Sequence, residues 1–353
     1  MSAITLYWFT FIAIFIIVYA IDLYVTSHKR GPVSLKSSLN WVAVWVSIAL
    51  LFGLSLYFFF PQNPGSTVRT GPVMMSKFMA GYFTEYSLSI DNLFVFILIF
   101  SMMGIHPKNQ PKLLKMGILI SIILRILFIV VGMELVERFH WIIYIFGILL
   151  IGTAYKMAFS KEEDNVNPES NILYKIASRL FHIDPDVHSP HFFTRINGKT
   201  HITNIFLALL VIGSTDILFA IDSIPAIIGV IKEGANNILT LAEENFIAIS
   251  SNLFAVMGLI SLFFALRGIM GMFRYLKTGV SVILLFIGVK MLLGSIGPVS
   301  DFFTHHAWFS LAVIAAILII SILLSVFVTE KEAALRKQKI SEEPRKEYRN
   351  KNK

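Results

Sequence analysis

The chain reads as an all-α, polytopic membrane protein of about nine transmembrane helices, built around a three-helix unit that is repeated upside down. Three observations carry this. Of 353 residues, 56% are hydrophobic and 15% charged, far too apolar for a soluble protein of this size. Windows apolar enough to cross a hydrocarbon core of roughly 30 Å occur nine times. Two segments, one in each half of the chain, repeat a pattern of two carboxylates six residues apart.

The windows fall near 3–25, 39–60, 76–103, 113–137, 139–159, 203–231, 244–266, 278–296 and 308–328. The first starts at Ile4 with no basic residue before it and no small-residue cleavage site after it, so it reads as a retained helix. The windows 113–137 and 139–159 are separated only by a short turn at Glu137-Arg138-Phe139-His140, which predicts a helical hairpin. Lys and Arg alternate between loops: 23 of the 30 fall on one side, against Arg69, Lys77, Arg138 and Lys232 on the other. By the positive-inside rule the N-terminus is outside and the C-terminus cytoplasmic, in a plasma (inner) membrane. Arg125, Lys156 and Lys290 fall within spans.

The organisation follows as two N-terminal helices (1–75), a first three-helix repeat (76–159), a polar cytoplasmic linker (160–202), a second repeat (203–296), a last helix (297–328) and a basic tail (329–353). Within each half a carboxylate pair, a middle helix and a helix ending in Lys-Met follow in order, with Lys156-Met157 matching Lys290-Met291. Three is odd, so the halves must be inverted, as in secondary transporters whose sites lie at the repeat interface.

The repeated segments are Glu85-Tyr86-Ser87-Leu88-Ser89-Ile90-Asp91-Asn92 and Asp216-Ile217-Leu218-Phe219-Ala220-Ile221-Asp222-Ser223. Ionised groups in a bilayer cost several kcal/mol unless paired or coordinated, which makes these four acids candidates for an ion site. Positions six apart on an unbroken helix differ by about 240°. Pro225, which frees the carbonyl of Ile221, predicts local unwinding in the second half; Phe94 stands at the matching place in the first.

The chain has no cysteine, which excludes disulfides, thiolate ligands and cysteine nucleophiles. Glu85, Asp91, Asp216, Asp222, Ser89, Asn92, Ser223 and Asn252 form an oxygen-only inventory suited to manganese, magnesium or calcium. With Asp22, five intramembrane acids face Arg125, Lys156 and Lys290, leaving two negative charges that a divalent ion would balance. The competing reading makes these charges internal salt bridges, for example between Lys156 or Lys290 and an Asp. Asp22, near a helix end, then only anchors its helix.

In the linker, His182-x-Asp184-x-Asp186-x-His188 followed by His191 allows a regulatory metal site; a solvated linker is favoured. Met102-Met103 and the Phe-rich helices read as packing surface. The basic tail accounts for the positive charge without nucleic acid. No phosphate loop, nucleophile-base pair or His-Glu metal motif is present, so no enzyme activity and no cofactor are expected.

The motifs Glu85-x-Ser87-Leu88-Ser89-Ile90-Asp91-Asn92 and Thr215-Asp216-x-x-Phe219-Ala220-x-Asp222-Ser223-x-Pro225-Ala226 resemble the paired signatures of the TerC family of integral membrane proteins, in its longer, Alx-like branch. Ala20-Ile21-Asp22-Leu23, Phe192-Phe193-x-Arg195-x-Asn197-Gly198 and Gly288-x-Lys290-Met291 extend the likeness over most of the chain. The resemblance implies manganese(II) export, the tellurium-resistance name reflecting phenotype. It implies Glu85, Asp91, Asp216 and Asp222 as metal-site acids, with Asn92 and Ser223 as oxygen partners. Gly213 and Ile260 depart from the branch, which carries a Glu and an Arg there; losing both avoids stranding one buried charge. The alternatives are an exporter of calcium or another divalent ion, and a membrane assembly or metallation factor that transports nothing.

Overall fold

The computed structural model describes residues 3–28, 35–64, 66, 68–159, 171–184, 186, 189–196, 198–232, 238–268, 275–294, 296, 298–299, 302–303, 306, 309–325 and 327–328. The side chains of Asp22, Asp91 and Asp222 lie outside that description, as do His188, Asn197 and the tail.

Among the described residues, each predicted apolar window coincides with a helix or, at 244–266, with two. The long helices are α1 (Ala3–His28), α2 (Leu35–Phe59), α3 (Thr70–Met102), α4 (Gln110–Arg138) and α5 (Ile142–Phe159). After the linker come α7 (Asn204–Lys232), α8 (Leu241–Val256), α9 (Leu259–Gly268) and α10 (Leu276–Leu293), with a further helix, α11, at Phe309–Ser325. α1 to α5 are each long and apolar enough to span a bilayer, and α8 with α9 makes a sixth candidate. Asn204–Ile217, Ser223–Lys232, Thr278–Leu293 and Phe309–Ser325 are shorter apolar stretches.

Local sequence explains several boundaries. Pro111 sits in the first turn of α4, where no backbone N–H is needed. Thr240 and Glu243 cap the start of α8 reciprocally, the Thr240 hydroxyl accepting from the Glu243 N–H and the Glu243 carboxylate accepting from the Thr240 N–H at 2.7 Å.

Two expectations are corrected. α7 remains helical through Pro225 instead of unwinding, because one proline removes a single ladder bond and the packed helix retains the rest. The break falls at 257–258, where α8 and α9 meet at 41°. Gly258 has φ +83 there, and a Cβ on it would collide with the Trp45 ring. The linker is also more than a loop. Residues 172–180 form α6 (Ile172–Leu180), and β1 (His182–Ile183), β2 (Phe193–Ile196) and β3 (Lys199–Ile202) form a small sheet in the order β1-β3-β2. β1 runs parallel to β3, and β2 antiparallel.

The helices pack crosswise: α3 against α8, α4 against α7, α3 against α7, and α5 against α10. At the last crossing a Cβ on Gly288 would lie 2.9 Å from the Gly147 carbonyl, so only glycine permits this approach. Outward residues such as Leu51, Ile123, Ile148 and Ile319 are exposed and apolar, the surface a lipid-facing bundle presents.

Candidate functional site: a buried charge network between the halves

Glu85 on α3 is fully buried. Its Oε1 accepts from Ser89 Oγ at 2.9 Å, one helical turn on, and its Oε2 accepts from Asn252 Nδ2 of α8 at 3.0 Å. Arg125 of α4, 2% exposed, forms an ion pair with it. Arg125 Nε also donates to Ser121 Oγ at 3.1 Å, one turn back on its own helix. With its amide oriented to satisfy both neighbours, Asn92 accepts from Arg125 Nη2 at 3.2 Å and donates to the Leu88 carbonyl at 3.1 Å.

Asp216 on α7 is equally buried, and the Ser121 hydroxyl hydrogen-bonds it. A continuous chain therefore runs Glu85, Arg125, Ser121, Asp216. Its members are related by position: the sequence interval from Glu85 to Asp216 is the same as that from Ser121 to Asn252. Glu85 bonds the middle helix of the other half through Asn252, and Asp216 does so through Ser121.

The network leaves acceptors open. Among the described residues, Asp216 Oδ2, Asn252 Oδ1, Ser223 Oγ, Ser87 Oγ and Thr84 Oγ1 are buried with no hydrogen-bond partner. Such atoms cost free energy in a bilayer unless an ion, water or a moving group meets them. Asp216 Oδ2 and Asn252 Oδ1 are of the donor type of hard cations, while Trp45 Nε1 and, apart from its ion pair with Glu85, Arg125 Nη1 are buried nitrogens in the same condition. No group of three His, Asp or Glu among the described residues is placed to hold a metal unaided. The side chains of Asp91 and Asp222 lie outside the described residues; both belong to continuous helices, α3 and α7.

Other predicted residues stand apart. Lys290 is buried, donating to Ser310 Oγ at 2.9 Å with its Nζ 4.5 Å from the Phe303 ring centroid, whereas the matching Lys156 is exposed at the end of α5. Ile260 lines a small apolar cavity with Ile118 and Ile122. Gly213 faces Ile120.

In the linker, Asp184 accepts from Thr194 Oγ1 at 2.6 Å and from the Asp186 N–H at 2.9 Å, bonds that hold its carboxyl below the usual range. His182 and His201 are paired across β1 and β3 with ring centroids 5.5 Å apart.

One cluster escapes sequence reading. Lys232 at the end of α7 pairs with Glu137 at 2.6 Å and Glu244 at 3.1 Å, and Lys77 donates to the Val230 carbonyl at 2.8 Å. These residues tie together the ends of α3, α4, α7 and α8. They are far apart in sequence, and only the charge at each helix end hinted at them.

The fold and site define a polytopic, predominantly helical membrane protein with a charged network buried between its helices. The chain belongs to the TerC family of integral membrane proteins, whose pattern matches residues 70–333. Among its relatives is the membrane protein STKORF319 of Myxococcus xanthus, 40% identical over 90% of this chain and 91% of that protein. Another is Alx of Escherichia coli (strain K12), described as a proposed membrane-bound redox modulator, 34% identical over 92% and 95%. Alx of Photorhabdus laumondii is 34% identical over 93% and 97%. No solved structure matches.

Proposed function

We propose that this protein is a transporter that moves a divalent cation, manganese(II) foremost, out of the cytoplasm through a carboxylate site where two inverted three-helix repeats meet. The observation that carries this is the pair of buried, equivalent carboxylates, Glu85 and Asp216, with open oxygens at Asp216 Oδ2 and at Asn252 Oδ1, whose side chain bonds Glu85. The crosswise contacts, made between positions at one constant sequence interval, support the repeat. An oxygen-only donor set supports a hard ion, and the family resemblance supports manganese over calcium. Asp91, Asn92, Asp222 and Ser223 complete the proposed ligand set. The protein would sit in the plasma membrane with its N-terminus outside and its linker and tail in the cytoplasm.

Ion flux into proteoliposomes tests this. Wild type should carry manganese, and Asp91→Asn or Asp222→Asn should abolish the flux, with calcium and magnesium as comparisons. No flux under either direction of proton gradient would defeat the reading.

A second reading, a membrane assembly or metallation factor, is favoured by one observation: Glu85 has its counter-charge in Arg125, a residue of the chain itself. Under it, Asp91→Asn leaves cytosolic manganese unchanged; under the first it raises it. A redox role of the kind in the name of Alx would have to act without thiol exchange on this chain, which has no cysteine.

A further inference from the structure

A site for cations has no evident need for a cation of its own, yet Arg125 lies in the middle of this one. Its guanidinium holds Glu85, while Nε reaches the Ser121 hydroxyl that bonds Asp216. The residue that matches it in the second half, by the interval relating Glu85 to Asp216, is Val256, so the charge has no counterpart there. Asp216 Oδ2, by contrast, is buried with nothing bonded to it.

A guanidinium carries five N–H donors in a planar fork, so it can exchange one carboxylate for another by a small swing. A metal ion approaching Glu85 competes for the oxygens that Arg125 holds, and the two cations repel strongly in a low-dielectric interior. An open acceptor for the displaced group waits one hydroxyl away.

We propose that Arg125 is a resident counter-cation, which occupies Glu85 while the site is empty and is driven onto Asp216 when a divalent cation binds Glu85. The inference rests on the cation-carrier reading and assigns the equivalent acids different roles. Glu85 is a ligand, and Asp216 is the position that receives Arg125. In the empty site Arg125 keeps Glu85 balanced, so that acid need not hold an ion at every stage of a cycle.

The test is calorimetric binding of manganese(II) to the full-length purified protein as wild type, Asp216→Asn, Arg125→Gln and the double variant. Asp216→Asn should weaken binding about tenfold or more, because Arg125 then has nowhere to go. Adding Arg125→Gln should restore it to within about threefold of wild type or better. A double variant as weak as Asp216→Asn would make Asp216 a direct ligand and overturn the proposal. Wild type that binds neither manganese nor calcium overturns the carrier reading itself, a separate result. Should Arg125→Gln fail to fold, infrared difference spectra with guanidino-labelled arginine decide. Manganese should shift a guanidinium band that Arg125→Lys lacks, and an unmoved band sinks the idea.

Discussion

Glu85 and Asp216 occupy matching positions of the two halves and are equally buried, but their surroundings differ. Glu85 has Arg125 as an ion-pair partner, with Ser89 and Asn252; Asp216 has Ser121, the charge of Arg125 without a direct ion pair, and an oxygen with no hydrogen bond. A repeated motif therefore gives two buried acids without giving them the same surroundings. The difference arises from what is not repeated: Ser89 is matched by Ala220, and Arg125 by Val256. The matched lysines diverge likewise, Lys290 inside and Lys156 outside.

The largest expected effect comes from the unrepeated charge. Arg125→Ala leaves Glu85 buried without its ion-pair partner and should cost about 3–5 kcal/mol of stability. Asp216→Asn removes an acid that is already incompletely bonded and should cost less than about 1 kcal/mol. Thermal unfolding of the detergent-purified variants compares them, and equal losses would erase the distinction between the halves.

Next come the crosswise bonds. Asn252→Ala removes a donor to a charged carboxylate and should cost about 1.5–3 kcal/mol. Ser121→Ala should also be destabilising, because it severs the link between Arg125 and Asp216. A double-mutant cycle between Ser121 and Arg125 should show coupling, and additivity would show that the chain of bonds does not act as a unit.

Smaller effects separate the lysines. Lys290→Met loses the bond to Ser310 and should cost about 1–2 kcal/mol, whereas exposed Lys156→Met should change stability by less than about 0.5 kcal/mol. The same unfolding assay ranks them.

The smallest lies in the linker, away from both halves. The carboxyl of Asp184 titrates below its unfolded value, so its contribution is present above that value and is lost as pH falls through the lowered one. Amide protection in 182–202, measured against the intrinsic exchange rate at each pH, should therefore fall in acid, and Asp184→Asn should flatten that dependence.

Much of the fold was legible. Apolar runs located the long helices to within a few residues, because a bilayer demands long uninterrupted segments, whereas α6 in the linker was not read. The position of Glu85 and Asp216 in neighbouring buried helices was legible from the repeat. The partner of Glu85 was not: Lys156, Lys290 and Arg125 all fell within spans, and which of them faces an acid depends on how the helices are rotated against one another. The 41° bend was missed because Gly258 looks like any helical glycine until Trp45 is packed on it. Proline at 225, the stronger signal, misled, since helical packing tolerates one missing bond. Strands of two to four residues, as in the linker sheet, carry too little periodicity to read.

The pairing of Glu85 with Arg125 also bears on how the chain is made. The two lie on successive helices, α3 and α4, so they leave the ribosome within seconds of each other. Either alone would oppose insertion by a few kcal/mol. The backbones of α3 and α4 pack mainly on α7 and α8, so it is the long Arg125 side chain that reaches across to Glu85. Asn252, on α8, is made only after α5, the linker and α7, too late to help. Both members of the Glu85–Arg125 pair are thus made before the second half of the protein exists.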